Sequence, residues 1–261
     1  MKTQTYWLTG ASGGIGAALA RRLNGAGQRL ILSARNQLQL TAVQQSLPQP
    51  TRAAIVPLDL ADYSSLERAL PLALEAFGGV DVMIHSGGIS QRDLVVNTKF
   101  EVDERLMKVN YLGTVYLTKL ILPHFLEKSG GDFIVISSLV GKFGTPYRSS
   151  YAASKHALHG FFDSMRAELQ GQGIKILMVC PGFVKTDISL HALTGTGEPL
   201  GVMDEAQAKG MEPALLAERI LQAFQGGKEE VYIGGPEVWG VYMKRFLPTL
   251  MSKRMAKAKV R

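Results

Sequence analysis

The stretch TYWLTGASGGIG, residues 5–16, decides the fold. Thr5 to Leu8 is a short run of β-branched, aromatic and aliphatic side chains, the composition of a strand. Gly10, Gly14 and Gly16 follow where the chain must turn tightly, admit a pyrophosphate against bare backbone and begin a helix. Gly10, Ser12, Gly13, Gly14, Ile15 and Gly16 are therefore candidate cofactor-binding residues. A glycine-rich turn is weak evidence by itself, and this spacing is not the Gly-x-Gly-x-x-Gly fingerprint.

Outward from this unit the pattern repeats. Apolar runs at Leu30 to Ser33, Ala54 to Pro57, Val82 to Ile84, Phe133 to Ile136, Ile174 to Val179 and Val231 to Ile233 read as strands. Helical spacing of three and four separates them, near residues 15–26, 36–46, 62–77, 100–128, 150–170 and 213–225. Strands that are apolar on both faces, alternating with helices, predict an α/β fold with one doubly wound parallel sheet of about seven strands. The expected division is a Rossmann-type catalytic domain at 1–237 and a basic amphipathic tail at 238–261. Residues 187–212 lack firm periodicity and leave the carboxyl side of the sixth strand, as a substrate lid would. Its Leu190, Leu193, Leu200 and Met203 predict a greasy pocket.

With 261 residues, 46% of them hydrophobic, the chain is long enough to bury a core. One cysteine, Cys180, excludes a disulfide framework or thiolate metal site and reads as a small buried hydrophobe. The histidines lack metal-ligand grouping, so no metal is expected. No secretory signal or spanning segment is read, so a cytoplasmic protein is expected. The net charge of +7 is local: Lys244, Arg245, Lys253, Arg254, Lys257, Lys259 and Arg261 lie in a tail without acids. The remaining body is neutral, which argues against a nucleic-acid-binding domain. Apolar residues at 239, 242, 243, 246, 247, 250 and 251 predict an amphipathic helix restarted by Pro248. Two readings stay open: the stripe packs on the body or a second subunit, or it contacts an anionic membrane surface.

The glycine spacing after Thr9, Asp59 after the third strand, Asn110, Ser138, YAASK at 151–155 and PGFVKT at 181–186 together resemble the short-chain dehydrogenase/reductase superfamily. The stretch GKFGTPYRSSYAASKHALHGFFDSMRAEL is similar to its dehydrogenase/reductase-7B-like branch. The resemblance covers nearly the whole chain. It implies hydride exchange between a nicotinamide cofactor and a carbonyl or alcohol, with Asn110, Ser138, Tyr151 and Lys155 as catalytic residues. It also implies a homodimer or homotetramer, paired through Phe161 to Leu169 and the helix near Asn110. The cofactor residues carried over are Asp59 at the adenine, with Leu60, Gly87, Tyr151, Lys155, Pro181, Gly182, Val184 and Thr186. One departure stands out: His85-Ser86-Gly87-Gly88 replaces the family's Asn-Asn-Ala-Gly, which puts local hydrogen bonding in question and makes His85 a structural substitute.

The residues add chemistry of their own. The second strand ends at Arg35, without the acid that a free ribose 2′-hydroxyl prefers, so a 2′-phosphate and NADP(H) are expected. Lys155, one helical turn beyond Tyr151, is expected to favour the phenolate and lower the phenol's pKa. The alternative function is a cofactor-sensing or scaffolding protein with little turnover.

Overall fold

The protein was analysed as a computed structural model that describes residues 3–258. Lys259 and Arg261 of the basic tail lie outside the described residues. Seven strands form one sheet: β1 Thr5–Thr9, β2 Arg29–Ser33, β3 Ala53–Ile55, β4 Val82–His85, β5 Gly131–Ile136, β6 Ile174–Pro181 and β7 Glu230–Ile233. Their order is β3-β2-β1-β4-β5-β6-β7, and every pairing is parallel. The expected doubly wound fold is what the chain adopts.

The period-two alternation of each strand sorts side chains to the two faces. Ile31, Trp7, Met83, Phe133 and Ile176 are register partners, so they form one row across five strands. All five are at most 3% exposed. This row packs under α3 (Tyr63–Ala76), α5 (Gly113–Glu127) and α6 (Ser149–Glu168), through Leu66, Leu117 and Phe162. The alternate row, including Leu8, Leu32, Ile84 and Ile134, meets α1 (Gly14–Gly25), α2 (Gln37–Gln45) and α8 (Pro213–Gln225). Each buried Leu or Phe contributes roughly 1.5–3 kcal/mol relative to exposure, which holds both helical layers to the sheet.

The helix expected over 100–128 forms as one continuous run with a π turn inside it. α4 (Phe100–Met107) passes through a π turn at Lys108–Leu112 into α5. The wider turn buries Asn110 and lets Gly113 approach the Leu60 carbonyl, where a Cβ would lie 2.1 Å from the oxygen.

Beyond α7 (Glu205–Ala208) and β7, the chain ends in α9 (Trp239–Phe246) and α10 (Pro248–Met255). Leu247, held outside helical geometry before Pro248, separates them. The predicted single apolar stripe is divided. Met251 is buried with Phe143, Leu139 and Cys180, and Met243 packs beside them. Trp239, Tyr242, Phe246, Leu247 and Leu250 face outward. Among the described residues no helix is long and apolar enough to cross a membrane.

Candidate active site

Strand order reverses on either side of β1 and β4, and the crevice above their carboxyl ends is the expected ligand site of such a sheet. The glycine turn lies there. Gly10 and Gly14 have φ of +66° and +52°, a region costly for residues with a Cβ. A Cβ on Gly16 would stand 2.2 Å from the Gly10 carbonyl oxygen, so turn and helix are packed backbone against backbone. Gly13 at the α1 N-cap offers no capping side chain, leaving the first helical amides to an anion. The cradle fits a dinucleotide pyrophosphate.

Across the crevice, Thr9 Oγ1 accepts from the amides of Ser86 and Gly87 at 3.1 and 3.2 Å. This stitch ties the turn after β4 to β1. His85 is not at the surface of the site: it is 3% exposed, bonded through Nε2 to Thr118 and stacked on Phe133. Burial drives its pKa down to about 3, so it stays a neutral core ring.

Gly10, Ser12, Arg35, Asp59, Leu60 and Gly87 line one groove at the tip of β2. Asp59 Oδ1 accepts from Ala61 N at 2.9 Å, so its carboxylate also caps the turn before α3. Gly88 joins this groove to a larger cavity of about 400 Å³. Ile15, Ser138, Tyr151, Lys155, Pro181, Gly182, Val184 and Thr186 line the latter. Thr186 leans on the glycine turn, its Cγ2 3.2 Å from where a Gly14 Cβ would stand.

Ser138 follows β5 and accepts from Val140 N at 3.4 Å, which aims its hydroxyl along the crevice. Tyr151 and Lys155 lie one turn apart on α6. Lys155 Nζ donates to the Ile136 carbonyl at 2.8 Å and lies 5.8 Å from the centre of the Tyr151 ring. Burial lowers its pKa to about 8. The expectation that Lys155 brings the phenol down is corrected for the protein by itself. Burial raises the Tyr151 pKa above its ordinary value, opposed by Arg92, a hydrogen bond with Ser138 and Arg148. The reason is burial, which strips hydration from a phenolate, while the Lys155 ammonium donates to the Ile136 carbonyl.

Asn110 lies buried in the π turn. Its Oδ1 accepts from Ile89 N at 2.8 Å, and its Nδ2 donates to Ile89 O at 2.9 Å and Ser154 Oγ at 3.0 Å. The side chain thus fixes the turn after β4 rather than reaching Lys155.

The expected pocket lining is also revised. Leu193 packs on Val102 and Leu106, and Met203 accepts from Ser189 Oγ. Lid residues at the cavity are instead Ile188, Asp204, Ala206 and Gln207, and its apolar wall comes from Leu139, Val140, Phe143, Met243, Met251 and Met255. The lid is pinned by Gln207, whose Nε2 donates to the Val184 carbonyl and, at 3.3 Å, to Thr186. Asp204 pairs with Arg92 and Arg148. These four residues were not singled out from the sequence, because buried charges and amides there resemble the solvated ones of any loop. No three His, Cys, Asp or Glu side chains among the described residues form a metal-holding group.

The model of the short chain dehydrogenase family matches residues 4–194. The chain belongs to that family. Among short-chain dehydrogenases it is similar to dehydrogenase/reductase SDR family member 7B of Bos taurus, 40% identical over 257 residues, spanning 95% of this chain and 79% of that one. It also superposes on a short-chain dehydrogenase from Streptomyces avermitilis, with TM-score 0.81, 25% identity and 97% and 95% of the two chains covered. A third likeness is an alcohol dehydrogenase from the archaeon Thermococcus sibiricus complexed with 5-hydroxy-NADP: TM-score 0.77, 25% identity, 90% and 97% covered. Membership makes the chain an oxidoreductase by family.

Proposed function

We propose that the chain is an NADP(H)-dependent oxidoreductase that interconverts a carbonyl and an alcohol on a lipophilic substrate, with Tyr151 as general acid and base. The observation that carries this reading is one crevice in which a bare glycine turn, Arg35 and the Ser138, Tyr151 and Lys155 side chains meet. A bound nicotinamide dinucleotide supplies or accepts the hydride. The α1 N-terminus at Gly13 to Gly16 would hold its pyrophosphate, Asp59 and Leu60 its adenine, Lys155 its ribose and Thr186 its carboxamide.

When charge develops on the carbonyl oxygen, Ser138 donates a hydrogen bond and Tyr151 delivers its proton. A buried phenol with raised pKa is fully protonated near neutrality, which suits the reducing direction. With the dinucleotide bound, the Lys155 ammonium, 5.8 Å from the ring centre, would offset part of the charge on the phenolate that remains. Asn110 holds the turn after β4 through both its side-chain hydrogen bonds to Ile89.

The test is a panel of lipophilic ketones assayed by loss of NADPH absorbance: ketone-dependent oxidation is expected, and none with any ketone would refute the reading. Arg35 sets the cofactor. Arg35→Asp removes charge-assisted hydrogen bonds worth about 1.5–3 kcal/mol and adds repulsion. The NADPH-to-NADH ratio of kcat/KM should fall by roughly tenfold or more, and an unmoved ratio would contradict the assignment.

The outward aromatic face of α9, beside Lys244 and Arg245, supports peripheral contact with anionic lipid. Because α9 and α10 wall the cavity, such contact sets its mouth at the lipid surface. Flotation with phosphatidylserine vesicles should be lost in Trp239→Ala/Phe246→Ala. Equal flotation of both forms, or of neither, would dispose of the idea.

A further inference from the structure

The cavity carries more positive charge than its own acids neutralise. Arg92 and Arg148, 3% and 6% exposed, both reach it from opposite sides, one from the turn after β4 and one from the N-cap of α6. They share a single counter-ion. Arg92 Nε and Arg148 Nη2 donate to the same oxygen, Asp204 Oδ2, at 2.8 and 3.0 Å. Arg92 finds further acceptors in Ser90 Oγ and the Gln91 carbonyl. Arg148 has less: its Nε is buried without a hydrogen-bond partner, and its guanidinium rests on the Phe183 ring at 5.5 Å.

Burying two guanidiniums on one carboxylate is unfavourable, since each loses several kcal/mol of hydration that one shared oxygen does not restore. The rest of the lining does not correct the surplus. Glu237, which also accepts from the Phe183 amide, adds a second carboxylate, but Lys155 and Arg254 add two more cations, so four basic groups face two acids. A planar guanidinium whose Nε lacks a partner, lining a mostly apolar cavity, matches an oxyanion.

We infer that Arg92 and Arg148 form an oxyanion-accepting subsite, and that the substrate is an amphiphilic carbonyl compound bearing a carboxylate or phosphate group. Its apolar part lies against Phe143, Met243 and Met251, its charged group meets the arginines, and its carbonyl oxygen meets Tyr151. Asp204, carried by the lid, balances the pair before the substrate arrives and ties the lid to the same spot. The inference rests on the proposed carbonyl chemistry, which fixes where the reacting oxygen sits.

The experiment uses the wild-type protein with NADPH and aliphatic keto acids of one chain length, with the ketone at successive positions. Their methyl esters and the corresponding keto alkyl phosphates form the other arms. The best free acid or phosphate is expected to exceed its neutral counterpart in kcat/KM by roughly ten- to a hundredfold, mostly through KM, as the loss of a charge-assisted hydrogen bond implies. The preferred arm distinguishes carboxylate from phosphate. In Arg148→Gln the anion-to-neutral ratio should fall toward one. A ratio near one in the wild type, or a ratio unchanged in the variant, would overturn the subsite. So would a variant that only shifts the pH profile, since the arginines would then serve Tyr151 alone.

Should Arg148→Gln not fold, calorimetry on the wild type decides: decanoate or decyl phosphate should bind at least tenfold more tightly than decanol. Equal affinities would overturn the inference. Because this binding needs no turnover, it separates failure of the subsite from failure of the oxidoreductase reading.

Discussion

Tyr151→Phe should retain NADPH binding and lose carbonyl reduction by about two to four powers of ten, the usual contribution of a general acid. The substitution removes one oxygen and keeps the ring. That ring packs against the Val102, Leu106 and Leu193 cluster, so fold and lid are expected to be preserved. The lost function is specific: nothing else in the crevice can deliver a proton at the same point. Ser138 can donate a hydrogen bond, but a hydroxyl proton is too weak an acid to be given up near neutrality, and Lys155 is directed at Ile136. Near-normal kcat in the phenylalanine variant, with NADPH binding intact, would remove Tyr151 from the mechanism.

The second large effect is expected at Lys155, where activity and stability should part. Its pKa falls from 10.5 to about 8 because burial disfavours the ammonium. Between about pH 8 and 10.5 the unfolded chain therefore binds more protons at this residue than the folded one. Stability from this group rises with pH across that window, and below it the buried charge costs the fold about 3 kcal/mol. Lys155→Met removes that cost while leaving the Ile136 carbonyl without its donor, a loss of roughly 1–3 kcal/mol. The melting temperature at pH 7 should hold or rise, yet carbonyl reduction should fall by about two powers of ten or more. In the wild type, kcat/KM for reduction should decline above pH 8, as the ammonium loses its proton. A destabilised variant with proportionate activity, or a pH profile flat through pH 9, would make Lys155 structural.

Much of this architecture was readable from residues alone, for a definite physical reason. Strands buried on both faces must be continuous apolar runs, and the runs around Trp7, Ile31, Met83, Phe133 and Ile176 mark all five central strands. Gly10 and Gly16 were legible because backbone contact permits no other residue there. Ser138, Tyr151 and Lys155 were singled out through the family resemblance, and the structure brings all three to one cavity.

What escaped the sequence depends on direction rather than composition. Asn110 is turned toward Ile89 by a π turn that leaves no periodic signature. The lid offered Leu193 and Met203 as pocket residues, but irregular backbone aims Asp204 and Gln207 inward instead. Arg92 and Arg148 carry no sequence signal, since only tertiary packing reveals that they share one carboxylate. Similarly, the tail stripe could not announce that its methionines face the cavity and its aromatics face out.

The most direct test follows one deuterium atom. Wild-type protein is given NADPH labelled with deuterium at the reactive ring carbon and an amphiphilic ketone, and the alcohol is examined by mass spectrometry and NMR. One deuterium bound to the new carbinol carbon, formed by the wild type and absent with Tyr151→Phe, is the predicted result. An unlabelled product, or equal labelling by both proteins, would contradict the account.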